Sequence, residues 1–326
     1  MDIKKAPKVS VIIPTYNRKG YVCDAIDSVL NQTYRDFEIV VVDDGSNDGT
    51  GEALLARYGE RIRYHRKENG GCASARNHGI RVARGEYITF LDSDDMFTQD
   101  KLENHVGVLE ANPDIGLVYA DSFVSDGKRL HLTASVKPDR DKSIACPLFM
   151  TTHVGSGSFT ARRACIDASG YFDESMRYNE DTDFLLRLSV HVKAFRASKP
   201  AYVRRDHAGG KSRNTVKLLE ALYDSSEAFL AQQPAFRERI GKKASRRLAQ
   251  IRLDLFVEHL TNNKPGRALQ ELEAAQRLHP SVGKSLYRFL CRSGLIRSSR
   301  LQRAILFVET VRKIILSYRY CRIGLG

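Results

Sequence analysis

What this chain lacks narrows its function before any motif is read. Its six cysteines, Cys23, Cys72, Cys146, Cys165, Cys291 and Cys321, include no Cys-x-x-Cys pair. Neither a zinc cage nor a disulfide framework is therefore expected, and a reducing, cytoplasmic setting fits. No apolar run approaches the roughly 20 residues that cross a bilayer as a helix. Met1-Asp2-Ile3-Lys4-Lys5 runs straight into a strand-like segment, without the charged-then-apolar order of a secretion signal. No recognisable DNA or RNA module accompanies its basic residues, so no nucleic-acid partner is expected.

What is present is a 326-residue chain, 42% hydrophobic, long enough for one extended domain or two smaller ones. Its net charge of +13 is unevenly placed. Residues 1–206 are balanced, with 29 Lys and Arg against 30 Asp and Glu, whereas 207–326 carry 23 against 9. The last third alone is basic enough to seek an anionic partner.

Lys8 to Pro14 is a continuous β-branched run, as in a strand buried on both faces of a parallel sheet. Residues 21–32 carry apolar side chains at helical spacing. Phe37 to Val42 repeats the buried-strand pattern and ends in Asp43-Asp44-Gly45-Ser46, where Ser46 or Asn47 is expected to cap a helix over 48–58. A short strand at 62–65, a helix at 72–83 and a strand at 86–91 follow. Strand alternating with helix predicts right-handed crossovers and a parallel sheet, whose ligands sit outside the carboxyl ends of the strands. Those ends carry Thr15-Tyr16, Asp43-Asp44 and Asp92-Ser93-Asp94. An Asp-x-Asp at a strand end suits Mg²⁺ or Mn²⁺, which favour oxygen ligands, although acidic clusters are also common in plain loops.

Further on, the pattern predicts a helix over 99–109, a strand over 116–121, strand-like pieces near 128–133 and 157–161, and helices near 143–150 and 163–169. A helix after Asn179 opens with Glu180, Asp181 and Asp183, and one or two strands follow over 195–204. Acids at a helix start also serve simply to complement its dipole.

Taken together, Val9 to Arg18, Val42-Asp43-Asp44-Gly45-Ser46, Asn69-Gly70-Gly71 with Ala75-Arg76-Asn77, Leu91-Asp92-Ser93-Asp94-Asp95 and Glu180-Asp181 resemble the family 2 glycosyltransferases in order and spacing over about residues 7–210. The resemblance implies a GT-A fold, an α/β architecture with a mostly parallel sheet flanked by helices. It implies a catalytic domain at 1–210, divided into a nucleotide-binding half at 1–121 and an acceptor-side half at 122–210. It also implies inverting transfer from a nucleotide sugar, UDP-linked, to a glycan, lipid-linked glycan or glycoconjugate.

Residue by residue, the resemblance gives Pro14, Thr15 and Tyr16 to the nucleotide, Tyr16 offering a face to the base. Asp44 would accept from the base, with fixing of the turn as the alternative role for Asp43. Arg76 would support the diphosphate, its planar fork suiting phosphate oxygens, or else pair with a nearby acid. Asp92 and Ser93 would lie by the nucleotide. Asp94 would ligate Mn²⁺ or Mg²⁺ with Asp92 in support, and Asp95 is left without a role. His207 would be a further metal ligand, or a plain surface histidine. Asp181 would be the general base and Glu180 would touch sugar or acceptor, with Asp183 ranked below them. A carboxylate of ordinary pKa, about 3.9, is ionised at neutral pH and can take the acceptor's proton. Sugar selection would depend on 120–180, including His153 and Ser156 to Ser158.

Two alternatives are weighed. A sugar nucleotidyltransferase would want a Gly-rich, Lys- or Arg-bearing loop after the first strand, and Pro14-Thr15-Tyr16-Asn17-Arg18 is not one. An inactive adaptor retaining the domain sits poorly with intact Asp44, Asp92, Asp94 and Asp181.

Residues 211–326 read as a basic helical region, with helices over 215–231, 236–260, 265–278 and 298–318. In the last, Leu301, Ala304, Ile305, Val308, Val311, Ile315 and Tyr318 share a face rimmed by cations. Residues 298–322 suit peripheral attachment to an anionic membrane's inner face, or packing on the catalytic domain or on a second subunit in a homo-oligomer.

Overall fold

The computed structural model describes residues 6–152, 154–207 and 214–281. The chain forms two compact units, Met1–Gly210 and Lys211–Gly326.

The first unit begins β1 (Val9–Thr15), α1 (Lys19–Leu30), β2 (Phe37–Asp43), α2 (Thr50–Tyr58), β3 (Arg63–Arg66), α3 (Cys72–Val82), β4 (Tyr87–Phe90) and β5 (Met96–Phe97). It continues with α4 (Lys101–Ala111), β6 (Ile115–Tyr119), β7 (Ser122–Ser125), β8 (Leu130–Thr133) and α5 (Ala145–Thr151). A 3₁₀ turn (Ser156–Ser158), β9 (Phe159–Arg162), α6 (Arg163–Ser169), α7 (Glu180–Ser189), β10 (Lys193–Arg196) and β11 (Tyr202–Arg205) complete it.

Seven strands form the central sheet in the order β10-β6-β9-β4-β1-β2-β3. Every residue of β1 is buried, as expected of a strand rich in Val and Ile that is covered on both faces. Val22, Ala25, Ile26 and Val29 of α1 are buried at helical spacing. Helix α3 lies so close to β1 that a Cβ on Gly79 would fall 2.3 Å from Ile12 Cγ2, so only glycine fits there. The sheet is mostly but not wholly parallel. Strand β9 runs antiparallel between β4 and β6, and so starts at the edge where the parallel strands end. That reversal carries the Ser156–Ser158 turn to the same edge.

A second sheet, β5-β11-β7-β8, includes two strands the apolar pattern does not reveal. Strand β5 has two residues, and β7, Ser-Phe-Val-Ser, is too short to display a period. The anticipated cap of α2 is also corrected. Its N-cap is Gly49, while Ser46 accepts a hydrogen bond from Asn17 N at 2.9 Å.

The second unit contains α8 (Thr215–Gln232), α9 (Pro234–Ile240), α10 (Lys242–Thr261) and α11 (Pro265–Leu278). Asn214 caps α8 by accepting from Lys217 N, and Pro234 and Pro265 occupy first-turn positions that have no helical use for an N–H. The single helix expected over 236–260 is broken at Gly241, whose φ of 51° lies in the left-handed region. Phe256, Ala268 and Leu272 pack between α10 and α11, and Arg252 reaches Glu271 at 2.9 Å. Among the described residues no helix is long and apolar enough to cross a membrane. The segment 298–322 lies outside the described residues.

Candidate active site

Strand register brings the candidate residues together. Thr15 pairs with Asp43 and Ile12 with Phe90, so the loops after β1, β2 and β4 leave one edge of the sheet. Pro14 is buried inside β1, Thr15 is buried at its end, and Tyr16 is 46% exposed, its ring open to a ligand.

Asp43 and Asp44 are both buried, and both are engaged within the protein. Asp43 accepts from Ser46 N at 2.7 Å and from the Tyr64 hydroxyl at 2.6 Å, fixing its turn. Asp44 accepts from Lys67 Nζ, Gly70 N and Gly71 N at 2.8, 3.0 and 2.7 Å. It thereby ties the Gly70-Gly71 entry of α3 to the end of β2, where Gly71 has φ 91°. A carboxylate has about four acceptor positions, so Asp44 keeps capacity for one further donor.

One turn into α3, Arg76 is 2% exposed. Its guanidinium donates to Asp92 Oδ1 at 2.7 Å and to Glu180 Oε1 at 3.0 Å, joining β4's end to the start of α7. Burial opposes its charge, yet Cys72, Asp92, Glu180 and Asp181 outweigh that and raise its pKa well above the ordinary arginine value. The expected alternative for Arg76, pairing with nearby acids, is the arrangement present. Asp92 Oδ2 accepts from Ser156 Oγ at 3.1 Å, and Ser93 is buried.

Asp181 is partly buried, with Oδ1 accepting from Thr182 N at 2.8 Å. Its carboxyl is pushed up to about 6, first by burial and then by Glu180. Arg76 holds it down and Asp92 adds to the rise. The ordinary value of about 3.9 assumed from sequence thus does not apply. Asp183 is engaged elsewhere, in a pair with Arg187 at 2.9 Å, and Arg187 also holds the carbonyls of Ser169 and Tyr171.

At the other side of the edge Asp94 Oδ2 lies 2.9 Å from His207 Nε2, and Arg18 approaches at 3.7 Å. The His207 ring stacks on Tyr21 at 4.9 Å and its side chain is 14% exposed, which is not the setting of a solvated surface histidine. A carboxylate oxygen beside an imidazole nitrogen fits a divalent cation whose other positions go to phosphate and water. Among the described residues no cluster of three or more metal-ligating side chains occurs.

Three residues make contacts that the sequence does not assign to them, although Asn77 lies in one of the motifs and Ser156 in the stretch expected to select the sugar. Arg205 donates its backbone N–H to Asp95 at 2.9 Å, its Nε to the Asp94 carbonyl and its NH1 to Asp24 at 2.6 Å, bracing the acidic turn. Asn77 brackets Phe172, accepting from its N–H and donating to its carbonyl, each at 2.9 Å. Ser156 is the hydroxyl on Asp92. All act across 64 or more residues, and no local pattern announces them. His153 lies outside the described residues.

Residues 10–168 match the family described as Glycosyl transferase family 2. An uncharacterized glycosyltransferase of Rickettsia prowazekii (strain Madrid E) is 35% identical over 232 residues, 69% of this chain and 72% of the relative. Another, from Rickettsia typhi (strain ATCC VR-144 / Wilmington), is 40% identical over 185 residues, 55% of this chain and 57% of its own length. Among solved structures, S. aureus TarS 1-349 in complex with UDP-GlcNAc superposes with a TM-score of 0.57 at 18% identity, covering 84% of this chain and 92% of that one. Mannosyltransferase PcManGT from Pyrobaculum calidifontis, in complex with GDP-Man and Mn²⁺, gives 0.55 at 20% identity, covering 95% and 88%. At these identities the likeness is one of fold, the GT-A architecture.

Proposed function

The chain belongs to glycosyl transferase family 2, and from that premise we propose that it moves a sugar from a nucleotide sugar, UDP-linked, to a hydroxyl of a glycan or glycoconjugate, with inversion. The observation that carries this reading is the Asp92–Arg76–Glu180 chain, which holds the acid at the end of β4 against the first turn of α7, where Asp181 sits.

In the proposed reaction the acceptor oxygen bonds to the anomeric carbon, the bond from that carbon to the diphosphate oxygen breaks, and the acceptor proton passes to Asp181. A carboxyl with a pKa near 6 is mostly ionised at neutral pH and is a better proton acceptor than one at 3.9. Tyr16 and the strand ends of β1 and β2 take the nucleotide. Asp94 and His207, with Asp92 in support, would hold Mn²⁺ or Mg²⁺, and such an ion supplies Lewis-acid neutralisation of the leaving diphosphate. Arg76 adds fixed positive charge nearby. The UDP-GlcNAc bound by TarS and the GDP-Man and Mn²⁺ bound by PcManGT support a nucleotide-sugar donor and a divalent ion. A cytoplasmic location, which suits Cys23, Cys72, Cys146 and Cys165 forming no disulfide, belongs to the same proposal.

The test is a thermal-shift screen of nucleotide sugars with and without Mn²⁺, since a ligand bound only by the native state raises Tm. Nucleotide release on adding glycan acceptors follows for each hit. A chain that binds no nucleotide sugar and releases no nucleotide would overturn the proposal.

A further inference from the structure

Tyr202, the first residue of β11, sits in a slot made for it. A Cβ on Gly155 would fall 2.2 Å from its Oη, and one on Gly157 would fall 2.7 Å from its Cδ2. Two glycines therefore clear space for this ring beside the turn that carries Ser156. The residue is 5% exposed, and no hydrogen bond joins its hydroxyl to another described residue, yet the oxygen is not among the fully enclosed atoms left without a partner and so retains an opening to solvent. Burial first, then the negative charges of Asp95 and Asp92 and more weakly that of Asp181, raise the phenol's pKa and keep it protonated. Each of the nearby carboxylates holds another donor. Asp92 takes Arg76 and Ser156 on its two oxygens, Asp95 takes Arg205 N and Asp181 takes Thr182 N. A protonated hydroxyl that has no protein partner and keeps an opening to solvent is free to donate to a ligand oxygen.

We propose that the Tyr202 hydroxyl is a sugar-contacting group, donating its hydrogen bond to a hydroxyl oxygen of the sugar carried by the nucleotide. The inference rests on the nucleotide-sugar reading above. The glycines that frame the ring flank Ser156, whose hydroxyl holds Asp92, so the phenol stands beside the acidic turn that also carries Asp94. The ring is structural, and the hydroxyl is the part that reads the substrate.

Titration calorimetry separates the two roles. UDP-GlcNAc is compared with UDP, and GDP-mannose with GDP, each with Mn²⁺, on the wild type and on Tyr202→Phe, which keeps the ring. The expected result is a 5- to 10-fold loss of affinity for the nucleotide sugar, the equivalent of one neutral hydrogen bond, with the free nucleotide and Tm unchanged. Equal affinities of wild type and variant for the nucleotide sugar overturn the role of the hydroxyl alone. A parallel loss for sugar and free nucleotide also overturns it, by showing that the hydroxyl supports the loop. If the wild type binds neither nucleotide sugar nor nucleotide, the functional reading fails and this inference with it. Gly157→Ala provides the contrast, because crowding the ring should lower Tm and both affinities together.

Discussion

Arg76 and Glu180 meet at 3.0 Å although 104 residues separate them, and the same guanidinium holds Asp92 at 2.7 Å. This buried cation is what allows acids from two halves of the first unit to share one small space. Breaking a buried pair by removing one partner leaves the other charge uncompensated, typically at a cost of about 3–5 kcal/mol. Arg76→Gln is expected to lower Tm by roughly 5–10 °C, taking the low end of that cost because Asp92 is one-third exposed. It should also move the acid limb of the pH–rate profile upward, since Arg76 is what holds the Asp181 carboxyl down. A variant with unchanged Tm and an unchanged limb would show that the network does not couple these groups.

Asp181→Asn separates chemistry from binding. The amide keeps shape and an acceptor for Thr182 N but cannot take a proton, so turnover should fall about 10²–10⁴-fold while nucleotide-sugar affinity changes little. Stability gives an independent check. Because the folded-state pKa is raised above the unfolded one, the protonated carboxyl stabilises the fold at low pH, and that contribution is lost as pH rises through about 6. The Asn variant should therefore melt higher than wild type at pH 7.5, the gap closing toward pH 5. The groups that set this window are Glu180, Arg76 and Asp92. A wild-type transfer rate in the variant removes Asp181 as base.

Asp94 and His207 predict a metal-dependent phenotype. Either Asp94→Ala or His207→Ala should weaken Mn²⁺-dependent nucleotide binding by 10-fold or more and leave metal-free binding nearly unchanged. Calorimetry with Mn²⁺ and with a chelator distinguishes this from loss of the loop, which would depress both. His207 stacks on Tyr21, so His207→Gln is the milder control for packing.

The sequence exposes features set by local pattern and hides those set by partners far along the chain. Strands β1, β2 and β4 are legible because burial on both faces enforces a largely apolar run, and their common edge follows from their parallel direction. The acids at their ends could accordingly be named from sequence. Two-residue β5 has no period to detect, and the reversed direction of β9 depends on which neighbours flank it. Gly241 breaks a pattern that reads as one helix, because apolar spacing continues across the kink from Phe236 and Ile240 to Ala244 and Leu248. The pKa of Asp181 is hidden from the sequence for the same reason. An aspartate's ordinary value holds in water, whereas this one is set by burial and by Glu180, Arg76 and Asp92, which only folding assembles.

Lys101 offers a prediction on stability away from the chemistry. It is 1% exposed on α4, with Nζ against Thr89 Oγ1, 3.5 Å from the Phe159 carbonyl and 3.6 Å above the Phe97 ring. The other titratable group beside it is His105, itself buried with Nδ1 on Thr160 Oγ1 at 3.0 Å. Burial drives the Lys101 pKa well below its ordinary value. The unfolded chain then binds a proton that the fold excludes, so Lys101 destabilises at neutral pH and less so as pH approaches about 10.4. Lys101→Met fills similar volume and leaves Thr89 bonded to the Phe159 carbonyl at 2.6 Å. It should raise Tm at pH 7, with the gain shrinking by pH 9.5, whereas Lys101→Ala should lower Tm at both by opening a cavity. If the methionine variant melts below wild type at pH 7, the ammonium is charged in the fold and held there by Phe97 and its two oxygen neighbours.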